Sequence, residues 1–218
     1  MTKNLSERIL TSLFLLFILC TSILINKYLF LALLIVSSFI SFNEFNKLIK
    51  KSFKKEINFI NTIQIFSVLF FILFTYSSYQ IYDRSLIAII WIISICIFSD
   101  TGGFVIGKLV GGKKLTKISP NKTIAGSVGS FLFAIIPLIF LSLIDEIYND
   151  VHLAQLVIVS LLLSLICQAG DLLISYFKRK AKVKDTGSIL PGHGGLLDRI
   201  DGLIFVLPAA FIIDKIIF

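Results

Sequence analysis

Long apolar runs recur along the whole chain and constrain its fold more than any other feature. They cover about Ile9–Ile25, Tyr28–Phe42, Ile63–Tyr79, Leu86–Phe98, Gly126–Ile144, Leu153–Phe177 and Gly202–Phe218. Runs of this length suit helices crossing a hydrocarbon core about 30 Å thick, and they are too long and continuous for barrel strands. Composition agrees: of 218 residues, 56% are hydrophobic and 16% charged, with a mean hydropathy of +0.94. A soluble domain of this size has too little interior to hide that much apolar surface. The expectation is an all-α polytopic integral membrane bundle of about seven spans. The first run reads as a retained helix rather than a cleaved leader, because it is long for a leader and no small-residue cleavage site follows it.

The charges orient this bundle. Lys3 and Arg8 precede the first run, and Lys47, Lys50, Lys51, Lys54 and Lys55 follow the second. Lys108, Lys113, Lys114, Lys117 and Lys122 follow the fourth; Lys178, Arg179, Lys180, Lys182, Lys184 and Arg199 follow the sixth. Eighteen of the 21 basic residues thus share one side, leaving Lys27, Arg84 and Lys215 for the other. By the positive-inside rule the N-terminus and the loops 99–125 and 175–201 face the cytoplasm, in a bacterium at the inner membrane. The net charge of +8 is then a mark of anionic lipid nearby and does not call for a nucleic-acid partner. The loop 145–152, with Asp145, Glu146, Asp150 and a surface His152, fits the outer side. Cys20, Cys96 and Cys167 each sit in an apolar run and read as buried, inert thiols.

Two runs are irregular. Leu86–Phe98 is too short to cross as a helix unless it continues through Ser99, Asp100, Thr101, Gly102 and Gly103. That brings Asp100 to membrane depth, where a carboxylate needs a polar cavity or an ion. In the sixth run Gln168 and Asp171 stand three apart and share a helix face. The chain therefore divides by content into N-terminal membrane helices, 1–98, and a catalytic membrane region, 99–218, whose polar centre is 175–201.

Asp198 and Asp201 stand three apart at the opening of the last helix. Capping and macrodipole complementarity, with Arg199 as counter-ion, would explain them. Adding Asp171 and Asp185 makes a set of carboxylates suited to Mg²⁺, a hard cation that shares oxygen ligands with substrate phosphates. Lys178, Arg179 and Lys184 would anchor the sixth helix at the membrane edge or contact phosphates. Gly192, Gly194 and Gly195 let backbone N–H groups approach an anion closely. His193 between them would donate to a phosphate oxygen or simply complete the turn. Gly107 to Lys114 is a near miss to a P-loop, since Lys114 replaces the Ser/Thr that would hold Mg²⁺ and no strand precedes it. The turn Pro120 to Gly126 reads better as a phosphate contact, with Lys122 and Thr123 as donors.

The stretch SYFKRKAKVKDTGSILPGHGGLLDRID resembles the signature of phosphatidate cytidylyltransferases, also called CDP-diacylglycerol synthases. The matching positions are Ser175, Lys178, Arg179, Lys184, Asp185, Gly187, Pro191, His193, Gly194, Gly195, Asp198, Arg199 and Asp201. The resemblance extends to Ser99–Gly102, Lys117–Gly126 and Gln168–Asp171; before Ser99 only hydropathy matches. Asn121, Ile124 and Ala125 depart from the family's usual Gly and Trp-Glu, and the chain is short for the family. The resemblance implies CTP + phosphatidate → CDP-diacylglycerol + pyrophosphate at the membrane lipid surface, with Mg²⁺ and a second cation and a homodimer left open. It implies a metal centre on Asp171, Asp198 and Asp201, with Asp100 and Asp185 in reserve, and phosphate contacts from Lys178, Arg179, Lys184 and Arg199. A CTP-dependent lipid or polyprenol kinase is the alternative enzyme. A transporter is the alternative outside enzymes, although no symmetric halves with paired broken helices are visible.

Overall fold

The computed structural model describes residues 3–54, 56–141 and 152–217. Its helices are α1 (Lys3–Ile25), α2 (Lys27–Ser52), α3 (Ile57–Arg84), α4 (Leu86–Val110), α5 (Ile124–Ala134), α6 (Ile136–Leu141), α7 (Leu153–Lys180), α8 (Leu197–Ile200) and α9 (Leu203–Ile217). Among the described residues β-pairing is limited to two isolated bridges, Lys114 with Thr123 and Leu190 with Gly194.

Among the described residues six stretches are long and apolar enough to cross a membrane, α5 and α6 counting together as Ile124–Leu141. The seventh expected run, Gly202–Phe218, folds as the 15-residue α9. At 1.5 Å per residue α9 is about 22 Å long, so among the described residues six of the seven expected runs are full-length spans. The acidic part of the 145–152 loop lies outside the described residues, while His152 is exposed as expected. Large apolar side chains such as Leu10, Phe17, Phe66 and Leu109 stand exposed along the long helices. That surface would aggregate in water and is the natural one against lipid. Cys96 and Cys167 are buried, but Cys20 is exposed on α1, contrary to expectation, on a helix that packs over only part of its circumference. The protein is an integral membrane protein.

Compactness divides the chain into residues 1–86 with 177–201, and residues 87–176 with 202–218. The 98/99 boundary is one of motifs, whereas these units interleave in sequence. In the first unit Asn26 caps α2 by accepting from the Tyr28 N–H at 2.9 Å. Tyr82 of α3 stacks on Phe30 of α2, and its hydroxyl donates to the Ile23 carbonyl of α1 at 2.8 Å. Toward the other end of α2, Ile49, Phe53 and Ile60 form a core closed by Phe45, Ile63 and Phe177.

In the second unit α4 runs unbroken from the apolar run through Asp100 and the glycine pair, as the short-run argument required. Its Gly102 lies so close to α5 that a Cβ there would stand 2.5 Å from the Gly129 carbonyl. Buried hydroxyls join the helices, Ser99 and Ser164 meeting at 2.8 Å. Leu138, Leu141 and Leu156 form a core with Ile87 and Trp91.

Candidate active site

In the first unit α7 ends in a Schellman motif. The Val183 N–H donates to the Lys178 carbonyl at 3.0 Å and the Lys182 N–H to that of Arg179 at 3.1 Å. Lys182 occupies the left-handed position at φ 55°, where glycine is usual. The chain then reverses so that Lys178, in the last turn of α7, meets Asp198 at 2.9 Å. The other Asp198 oxygen accepts from the Thr186 N–H at 2.7 Å, the Thr186 hydroxyl at 3.0 Å and the Gly195 N–H at 3.1 Å. Burial by itself would raise the Asp198 carboxyl, but Lys178 and the two amides outweigh it and hold it below the usual carboxylate range.

The Pro191–Gly194 turn is tight, with His193 and Gly194 N–H groups both directed to the Leu190 carbonyl. Gly192 and Gly194 take φ of 72° and 86°, which other residues adopt only with strain. Helix α1 holds this turn from outside. Arg8 Nε donates to the Gly192 carbonyl at 2.9 Å, the Thr11 hydroxyl to the Pro191 carbonyl at 3.0 Å, and Ser12 Oγ meets His193 Nε2 at 3.1 Å. Arg199 closes it by donating to the His193 carbonyl at 2.7 Å. Burial and the Arg199 charge lower the His193 pKa.

The expected anion cradle is thus filled from within the chain. The His193 and Gly194 amides serve the turn itself, and Gly195 serves Asp198. Leu196 and Leu197 serve Glu44 of α2. Neither Glu44 nor the contacts from α1 were legible as site features; the one signal was that Glu44 is the only carboxylate in α2. Lys184, Asp185 and Arg199 are exposed around the turn, as is Arg179. Asp198 and Asp201 do not open the last helix. Asp198 belongs to the separate short α8 and Asp201 caps its end. The break falls at Gly202, a poor helix former whose added Cβ would stand 2.5 Å from Cys167 Sγ.

In the second unit the strand-like pairing of Leu115 N–H with the Lys122 carbonyl, and of Ile124 N–H with that of Lys113, closes the loop after α4. This delivers Lys122 to the start of α5, where Thr123 is the N-cap and accepts from the Gly126 N–H at 3.0 Å. Lys122 forms an ion pair with Asp171 of α7. The second Asp171 oxygen accepts from the Ser175 hydroxyl at 3.2 Å. Asp100 lies close enough to feel both Asp171 and Lys122, and Gln168 accepts from the Ser127 hydroxyl. Within each unit the described residues bring together no group of three or more His, Cys, Asp or Glu at metal-holding distance.

Ionisable residues gathered in an otherwise apolar helical membrane protein mark a candidate functional site. Residues 52–217 match the model of the cytidylyltransferase family, and the chain belongs to that family. It is 42% identical over 132 residues to a phosphatidate cytidylyltransferase of Staphylococcus saprophyticus, covering 60% of this chain and 50% of the relative. With a phosphatidate cytidylyltransferase of Staphylococcus aureus it shares 46% identity over 132 residues, again 60% and 50% of the two chains. The corresponding Staphylococcus haemolyticus protein is 46% identical over 112 residues, 50% of this chain and 42% of the relative. The chain spans about half the length of the curated relatives it matches.

Proposed function

We propose that the protein transfers the cytidylyl group of CTP to phosphatidate, releasing pyrophosphate, at the cytoplasmic face of a bacterial inner membrane. The observation that carries this reading is the placement of the family signature. In the first unit Lys178 pairs with Asp198 near the exposed Lys184 and Arg199, and in the second Lys122 pairs with Asp171, on a protein whose relatives are named for this activity.

The chemistry suits those residues. The phosphate monoester of phosphatidate is already anionic at neutral pH, so its oxygen attacks the α-phosphorus of CTP without a strong base. One P–O bond forms, the bond to the β-phosphate breaks, and the electron pair leaves with pyrophosphate. What the protein must supply is alignment and neutralisation of charge. Lys184 and Arg199, exposed beside the glycine turn, and Arg179 near the end of α7 are cations for the phosphates. Lys122 is held by one carboxylate pair and can be drawn to a phosphate in exchange.

Asp171 and Asp100 fit a hard divalent cation, because the two carboxylates lie within electrostatic reach of each other with Lys122 paired to Asp171. Mg²⁺ bound to them would screen the phosphates and stabilise the departing pyrophosphate. Asp198, by contrast, already satisfies four donor atoms, and we assign it to holding the turn.

Purified protein supplied with CTP labelled at the α-phosphate, Mg²⁺ and phosphatidate should yield labelled CDP-lipid and pyrophosphate. Lipid labelled only from the γ-position would make it a kinase, and no CTP consumption would remove the enzymatic reading.

A further inference from the structure

We infer that Glu44 is a positioning residue for this reaction: its carboxylate is a built-in anion that holds the Thr186–Leu197 turn closed. The inference rests on the cytidylyl-transfer reading for its kinetic part and on geometry alone for the rest. Glu44 sits in α2, far from the signature in sequence, and is 3% exposed. One oxygen accepts from the Leu196 N–H at 3.2 Å. The other accepts from the Leu197 N–H at 2.8 Å and is 3.1 Å from the Thr186 hydroxyl. That hydroxyl is also 3.0 Å from Asp198, so its single proton is shared between the two carboxylates.

A buried carboxylate is costly unless such charge-assisted bonds offset its desolvation. Here they tie both ends of the turn to one side chain on a different helix. Two glycines make room for it. A Cβ at Gly195 would stand 2.5 Å from Glu44 Oε2. At Gly187 it would stand 2.3 Å from Oε1, and the three nearest atoms there all belong to Glu44.

While Glu44 is in place, the Leu196 and Leu197 amides are unavailable to a substrate phosphate. Phosphate recognition by this turn therefore falls to the side chains on its outer surface, Lys184 and Arg199, and their placement depends on Glu44. Loss of the carboxylate should loosen the turn and weaken CTP capture. A merely structural role would lower the amount of active enzyme and leave the KM alone.

The test is Glu44→Gln in the full chain in detergent, read by amide exchange and by kinetics. Amides 193–197 should exchange about tenfold faster, the scale of one charge-assisted hydrogen bond, while the α3 amides stay protected. The KM for CTP should rise by a similar factor. Gly187→Ala should mimic the loss in the wild-type background and become nearly neutral on Glu44→Ala, because the clash partner is gone. Unchanged exchange, a fall in kcat at constant KM, or additive Gly187 and Glu44 effects would each overturn the inference. Should the wild-type protein consume no CTP, the cytidylyl-transfer reading fails, and exchange with the double substitution still decides whether Glu44 closes the turn.

Discussion

Lys178–Asp198 in the first unit and Lys122–Asp171 in the second are the same pair of residue types put to different use. The Asp198 side chain is 6% exposed and receives a lysine, two amides and a hydroxyl. Asp171 is 25% exposed and receives a lysine and one hydroxyl. A carboxylate saturated by backbone donors cannot leave them without undoing the turn they belong to. One held by two mobile side chains can exchange partners with a cation or a substrate at little cost. Embedding, rather than residue type, therefore separates architecture from reaction chemistry.

The largest expected effect tests the exchangeable pair. Asp171→Asn should lower CTP turnover about 100-fold or more while helix content and melting temperature in detergent stay close to wild type. Retained turnover would remove Asp171 from the chemistry. The saturated pair should respond the other way, in stability first. Asp198→Asn leaves the half-buried Lys178 without its counter-charge and should cost about 2 kcal/mol, seen as a clear drop in melting temperature.

The same bond sets a pH dependence. Asp198 titrates below its unfolded value of about 4, so its contribution is complete above that pH and is lost as the pH falls through the lower folded value. Melting curves should show this slope below about pH 4 and none from Asp198 between about pH 4 and 6, and Asp198→Asn should flatten it. The smallest effect concerns the bend leading to the pair. Lys182→Gly should stabilise by up to about 1 kcal/mol, since glycine relieves the left-handed strain at φ 55°. A destabilised variant would mean that the Lys182 side chain contributes contacts worth more than the strain.

Much of this protein is legible in one dimension. Membrane helices follow from run length, and the passage of α4 through Asp100 follows from the shortness of Leu86–Phe98. The signature residues are conspicuous because charge is rare in such a chain. The glycine turn was harder to read. Gly192 and Gly194 do adopt the backbone that glycine permits, yet the neighbouring amides face Glu44 and Asp198 rather than open space. A pattern of glycines says that backbone can come close to an anion, and it does not say which anion. Lys122 and Thr123 likewise read as donors to phosphate, and in the fold one pairs with Asp171 and the other caps α5.

The membrane class, the helices and the family signature can be read from the residues in order. These depend on local hydropathy and spacing, which need no knowledge of distant contacts. Which carboxylates are saturated by donors and which are not is a matter of packing. That depends on how many donors surround each one. Glu44, for example, accepts from Thr186, Leu196 and Leu197, residues far along the chain that packing brings to it and that no local pattern encodes.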